Sequence, residues 1–222
     1  LGWPGGDIGG TYYPPDWVYT MYQDLTPVKA TWLSGIGALS TNNGVDFSEA
    51  QLPALMSAAN GAQWDSNQDG DYTDPEDTPA GENPTWSDDA TKIVILVTDA
   101  SYHKEGETPA YPGPSYADTV AALTAEGIHV VILATNTGYY TSLAADTDGA
   151  VKQISSDSSD IVEALMTALE EVLTDVWYEV DCPPEIDVSL TPEKHESVPG
   201  GSVLAFTETI TASGDAASGE YE

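Results

Sequence analysis

A chain of 222 residues suffices for one large domain, or for a mid-sized domain with part of a second. Five Lys and no Arg stand against 37 Asp+Glu, and the resulting formal charge of −32 repels nucleic acid and anionic lipid surfaces, excluding both as partners. The longest unbroken aliphatic run, Ile93 to Val97, is far short of a membrane span, whereas six Trp, 12 Tyr and 41% apolar residues are enough for a core rather than a disordered acidic tail.

The chain opens at Leu1 without Met and stops at Glu222 without a turn signal, and it reads as a trimmed piece of a longer protein. An acidic surface built with Lys and no Arg suits either a high-salt habitat or a calcium-rich extracellular one. Residues 1–24, rich in Gly, Pro and Tyr, read as a long surface loop. Its Trp3, Tyr12, Tyr13, Trp17, Tyr19 and Tyr22 form either an exposed aromatic contact surface or, more in keeping with such residues, loop and core packing. Thr26 and Pro27 then open a helix, Thr as N-cap and Pro at the first helical position, with Val28, Trp32, Ile36 and Leu39 at helical spacing. The Asn42-Asn43-Gly44 turn ends that unit. Ser48 with Gln51 three residues on spells a capping box for a second helix, whose apolar face is Leu52, Leu55, Met56 and Ala59 and whose stop is Gly61.

Residues 63–89 form an acidic insertion without hydrophobic periodicity. Lys92 to Asp99 follows, an aliphatic and β-branched run expected to be a strand buried on both faces, as in a parallel sheet. Ser115 caps a helix running to Glu126 and stopped by Gly127. Ile128 to Ala134 is a second buried strand, so the two strands and the helix between them make a βαβ unit. The spacing of Ile161, Leu165, Leu169, Val172 and Val176 predicts a last helix from Ser159 to Val176, capped by the turn Asp157 to Asp160. Beyond it the pattern changes. Cys182-Pro183-Pro184 is a linker, and Ile186 to Leu190 and Ser202 to Thr211 alternate as antiparallel strands, with Pro199-Gly200-Gly201 as their turn. The single Cys182 either stays free or pairs with a partner beyond Glu222. The expected organisation is an α/β domain over residues 1–180, built on a doubly wound, mostly parallel sheet, and over 181–222 the start of an immunoglobulin-like β-sandwich.

Two places carry candidate chemistry. From Asp65, oxygen-bearing side chains recur at alternate positions (Asp65, Asn67, Asp69, Asp71, Thr73), with Gly70 sixth and Glu76 twelfth. That is the calcium-loop spacing, in which carboxylates and carbonyls wrap a hard cation and Gly permits the sharp turn. Pro75 argues against a helix running through Glu76, so a single structural Ca²⁺ in an isolated loop is expected, with Asp65, Asn67, Asp69, Asp71 and Glu76 as ligands; the bland alternative is a solvated acidic loop. The second place is Asp99, at the carboxyl end of the first buried strand, where open parallel sheets gather ligands. It suits a metal, or merely caps the next turn. His103, Glu105 and Glu107 offer a weaker zinc cluster in a Gly/Pro-rich loop, and His129 reads as a satisfied strand residue. No nucleophile with a base, phosphate loop or paired acid/base carboxylates stands out, so no enzyme is expected.

The stretch Lys92 to His103, an aliphatic strand ending Thr98-Asp99-Ala100 with Tyr102-His103 after it, resembles the von Willebrand factor A domain, particularly the I-like domain of integrin β subunits. Gly44 to Glu49 with the helix to Asn60 and Trp64 is similar to the family's loop and helix that carry a metal-site Glu. Tyr111 to Thr135 and Ser155 to Val172 match its later elements, so the resemblance covers residues 25–176. It implies a metal-ion-dependent adhesion site for Mg²⁺ or Mn²⁺, with Glu49 as direct ligand, Asp99 as water-mediated ligand and Asp46 at an adjacent calcium site. The family's Asp-x-Ser-x-Ser loop has no counterpart before residue 25. Asp187 to Thr191 has a similar spelling but reads as a sandwich strand. The first strand is therefore expected upstream of Leu1, unless this copy has lost its metal. The implied role is a secreted or cell-surface adhesion module for extracellular protein or glycan ligands. The alternative is a structural subunit of a surface layer, sheath or filament that self-assembles.

Overall fold

The computed structural model describes residues 6–8, 11–13, 18–39, 48–66, 69–74, 77–87, 90–105, 112–180, 182, 185–199, 202–212 and 214. Asp46, Asn67, Glu76 and Glu107, together with Trp3 and Trp17, lie outside these residues. In chain order the elements are β1 (Gly6–Ile8), β2 (Thr11–Tyr13), α1 (Lys29–Gly37), β3 (Ser48–Glu49), α2 (Gln51–Asn60), β4 (Lys92–Thr98), β5 (Ser101–Tyr102), α3 (Tyr116–Ala125) and β6 (Ile128–Ala134). There follow α4 (Thr141–Asp146), β7 (Ala150–Gln153), α5 (Ile161–Glu171), β8 (Leu173–Trp177), β9 (Ile186–Thr191), β10 (Lys194–Pro199) and β11 (Thr207–Ala212). The chain divides into two compact units, Leu1–Ala168 and Leu169–Glu222.

The first unit is a mixed α/β arrangement around a parallel sheet of order β4-β6-β7. β6 is the middle strand and is buried on both faces: Val130, Val131, Ile132 and Leu133 are all within 1% of complete burial. One face packs Ile128, Val130, Ile132 and Ala134 against Leu55 and Ala59 of α2, Leu123 of α3 and Tyr140, Leu143 and Ala144 around α4. β4 corrects the expectation of burial on both sides. Val94 and Leu96 pack on that core, but Ile95 and Val97 are 46% and 50% exposed. Alternate side chains of a strand point to opposite faces, and at β4, which pairs only with β6 among the described residues, the face carrying Ile95 and Val97 is left half open.

Helix ends follow local chemistry where the predicted cap has no stronger competitor. The Ser115 hydroxyl accepts from Asp118 N at 3.0 Å, and Gly127 takes up φ +65° past the end of α3, both as the sequence predicts. Gly61 closes α2 in the left-handed region at φ +70°, and a Cβ there would approach Gly81 Cα to 2.7 Å. Leu52, Leu55 and Ala59 are buried as expected of the α2 face. Three boundaries differ. Ser48 is in β3 rather than capping α2, because residues 48–49 pair with residues 101–102, and Ala50 takes the cap position. The Thr26 hydroxyl accepts from Val28 N at 3.1 Å, so α1 starts only at Lys29. The last helix ends at Glu171 and not at Val176, since Leu173–Trp177 is a strand paired antiparallel with β10.

The N-terminal segment is more than a loop. β1 and β2 form an antiparallel hairpin, Val18 is fully buried with Ala50 beside Tyr19 and Trp64, and the Thr78 hydroxyl donates to Tyr19 O at 3.1 Å. The second unit contains two two-stranded antiparallel sheets, β8 with β10 and β9 with β11. Asp187 to Thr191 lies in β9, an ordinary strand as expected, while Lys194–Pro199, to which the sequence assigned no strand, is strand β10, and the strand expected from Ser202 begins only at Thr207 in β11. Cys182 is a free, exposed thiol. Among the described residues no helix is long and apolar enough to cross a membrane.

Candidate metal centres

Glu49 stands in a minimal parallel ladder of β3 with β5, and β5 begins two residues after Asp99. β3 pairs parallel with β5, setting Ser48 opposite Ser101 and Glu49 opposite Tyr102, and Glu49 O accepts from His103 N at 3.0 Å. The Ser48 and Ser101 hydroxyls are 3.2 Å apart, across 53 residues of chain. Asp99 sits between the end of β4 and β5. Its carbonyl accepts from the Thr135 hydroxyl at 3.2 Å, and Thr98 O accepts from Thr135 N at 3.2 Å, which tie the end of β4 to that of β6.

Below this edge Gln51, 3% exposed, donates from Nε2 to Thr98 Oγ1 at 3.0 Å, while its Oε1 is buried without a hydrogen-bond partner. The fully buried Tyr140 donates its hydroxyl to Ala100 O at 2.5 Å. Burial above all pushes its phenol up to about 12; hydrogen bonding with Thr98 works in the opposite sense, and the negative charges of Tyr102, Glu49 and Asp99 add to the rise. One hydroxyl thus senses both predicted carboxylates. Glu49 is half-buried and Asp99 exposed. Carboxylate and amide oxygens are hard donors of the kind Mg²⁺ or Mn²⁺ takes, but among the described residues no converging trio of His, Cys, Asp or Glu ligands includes Glu49 or Asp99.

The acidic loop is a closed excursion. Trp64 and Thr78 pair in an isolated antiparallel bridge, with N–H to O distances of 2.9 and 3.0 Å, and the Trp64 indole donates to Ser57 Oγ at 2.7 Å and Pro53 O at 3.1 Å on α2. Inside it, the Asp65 carboxylate accepts from Asp69 N (3.2 Å) and Gly70 N (2.8 Å), where Gly70 has φ +95°. Asp69 Oδ1 accepts from Asp71 N at 3.0 Å, and Asp71 Oδ1 from Thr73 N and the Thr73 hydroxyl, both at 2.9 Å. These two Thr73 bonds hold the Asp71 carboxyl below the usual carboxylate range.

Carboxylate oxygens of Asp69, Asp71 and Asp74 lie within 4.8 Å of one another, the one trio of His, Cys, Asp or Glu ligands that converges among the described residues. Three like charges at that spacing fit a hard divalent cation such as Ca²⁺. Of the predicted ligands the structure therefore brings Asp69 and Asp71 together, turns Asp65 onto the loop's own N–H groups, and leaves Asn67 and Glu76 outside the described residues.

Sequence spacing missed Asp74, which occupies the tenth loop position, outside the alternating set. It also missed Asp77. Only 8% exposed, Asp77 accepts from Ser66 N at 2.8 Å and Asp74 N at 3.0 Å and so sets the loop's exit. The density of Asp from 65 to 77 was the available signal, and it does not say which carboxylates turn inward. His103 is buried and Glu105 exposed, and they belong to no converging trio among the described residues. His129 is half-buried in β6, with Nδ1 3.0 Å from Asp148 O. Compared with known proteins, the chain matches no family model and no curated protein.

Proposed function

We propose that the chain is a non-catalytic binding module of the von Willebrand factor A type, working at the cell surface or in the extracellular space. On this reading Glu49 and Asp99 hold Mg²⁺ or Mn²⁺ at the carboxyl end of β4, and an acidic group of a protein or glycan ligand completes the shell. Ca²⁺ at Asp69, Asp71 and Asp74 stiffens the insertion. The observation that supports the reading is the pairing of β3 with β5, which sets Glu49 opposite Tyr102, three residues after Asp99, together with the rise that both carboxylates impose on the Tyr140 phenol. Hard-oxygen donors beyond the carboxyl end of a parallel strand suit capture of an acidic ligand through a divalent cation.

The test separates the two centres. In an Asp69→Ala background, Mn²⁺ titrated into the full chain is expected to retain one site by electron paramagnetic resonance, and Glu49→Gln is expected to remove it. The Mn²⁺-loaded chain should then bind a short peptide carrying one aspartate, and chelation should release it. Mn²⁺ binding indifferent to Glu49→Gln would sink the assignment. One observation favours a structural subunit of a surface layer, sheath or filament instead: the converging carboxylate trio lies in the insertion, not at the strand end. A chain that takes up Ca²⁺ in the loop yet ignores the acidic peptide would support that reading.

A further inference from the structure

The segment Tyr19 to Thr26 and helix α1 enclose a cleft of about 470 Å³, walled by Tyr19, Tyr22, Trp32, Ile36 and Leu39, with Asp24 among its lining residues. Helix α1 has no buried residue, yet its sequence is apolar on most sides: Trp32, Leu33 and Ile36 are 40%, 47% and 55% exposed. Leu25, Val28 and Leu39 extend the patch at either end, each more than half exposed. Exposed apolar side chains grouped on and beside one helix mark a contact site rather than a solvated helix.

The polar groups decide the sign of what binds. Asp24 Oδ1 accepts from Leu25 N and Thr85 N, both at 2.7 Å, and Oδ2 from the Thr85 hydroxyl at 2.6 Å. These bonds hold its carboxyl below the usual range and leave Oδ2 one further lone pair. Glu82, fixed by Met21 N to Oε1 at 2.9 Å, adds a second negative charge beside Tyr19. None of the described residues that line the cleft is cationic, and the whole chain carries −32. Aromatic walls around an anchored carboxylate favour a cation with an apolar stem, which gains cation–π attraction and burial together.

We propose that this cleft receives a lysine or arginine side chain from an apolar, basic peptide segment of a partner protein. The charged head would lie on Asp24, the stem between Trp32 and Tyr22, and neighbouring apolar residues of the segment on Leu25, Val28 and Leu33. The surface extends well past the cleft, which favours a peptide over a free amine. The inference is independent of the metal centres.

Calorimetry on the full chain, at a salt concentration that screens long-range attraction, tests it with three probes: a blocked leucine–lysine peptide, its leucine–glutamate counterpart, and hexylammonium. The lysine peptide is expected to bind and the glutamate peptide not. Trp32→Ala, an exposed position that conserves charge, should weaken binding about tenfold. Asp24→Asn should weaken it as well, whereas Asp187→Asn, the same charge change at an exposed position in the second unit, should leave it unchanged. Equal binding of the two peptides, or affinity indifferent to Trp32→Ala, would overturn the proposal. Hexylammonium bound without the lysine peptide would overturn the peptide assignment in favour of free organic amines.

Discussion

Tyr140 links the core to the sheet edge. Its ring belongs to the main apolar cluster, stands edge-on to Tyr102 at a centroid distance of 5.7 Å, and delivers its hydroxyl to Ala100 O immediately after Asp99. Its phenol is raised from 10.0 to about 12, so between these values the unfolded chain has released this proton and the folded chain has not. The stability Tyr140 contributes is therefore complete below pH 10.0 and lost as pH rises towards about 12. Tyr140→Phe is expected to cost about 1 kcal/mol at neutral pH, through the lost hydrogen bond, and to flatten the alkaline decline. Urea midpoints at neutral pH and within that alkaline window check both effects; an unchanged alkaline slope would assign the decline to other tyrosines. None of this was legible from residue 140 itself. A Tyr following Tyr139 carries no sign of which ring turns inward, whereas the Ser115 cap was legible because its partner, Asp118 N, lies three residues away.

At the scale of elements, the two aliphatic strands look alike in sequence and differ in the fold. Ile132 in β6 is fully buried, while Ile95 in β4 is 46% exposed. Ile132→Ala is expected to cost roughly 2–5 kcal/mol and Ile95→Thr no more than about 0.5 kcal/mol, read from urea midpoints of the first unit. Comparable losses at the two positions would show that β4 is covered on both sides. The helix predicted to Val176 makes the same point in another way. Val172 and Val176 continue the apolar spacing of α5, but Thr174, Val176 and Trp177 also fit a strand, and β10 supplies the hydrogen-bonding partner that decides between them. Gly149 illustrates tertiary demand on one residue: a Cβ there would collide with Val130 O of β6, so the tight approach into β7 requires glycine.

For the whole molecule the governing quantity is the charge of −32. Lys92 pairs with Glu126 at 3.5 Å and Lys194 with Asp175 and Glu196 at 2.8 and 3.0 Å, but five Lys cannot balance 37 Asp+Glu, so most carboxylates repel one another across the surface. NaCl is expected to raise the melting temperature smoothly by screening that repulsion. Ca²⁺ should add a saturable increment at concentrations too low to screen, because a site present only in the folded chain stabilises by mass action. Asp69→Ala should abolish the Ca²⁺ increment and leave the NaCl response in place. Thermal scans in the two salts separate these effects, and a Ca²⁺ increment surviving Asp69→Ala would move the ion elsewhere.

What could be read along the chain was whatever has its partner nearby: the helix stops at Gly61 and Gly127, the Ser115 cap, the two aliphatic strands and the acidic turn at Gly70. Hydrogen bonds within a helix, turn or cap join residues a few positions apart, so their chemistry is written locally. The placement of Glu49 beside the end of β4, the inward turn of Asp74 and Asp77, the exposure of Ile95 and the apolar cleft under α1 were not. Each depends on a segment tens of residues away, brought in by backbone pairing and by burial of surface that either partner alone would leave in water.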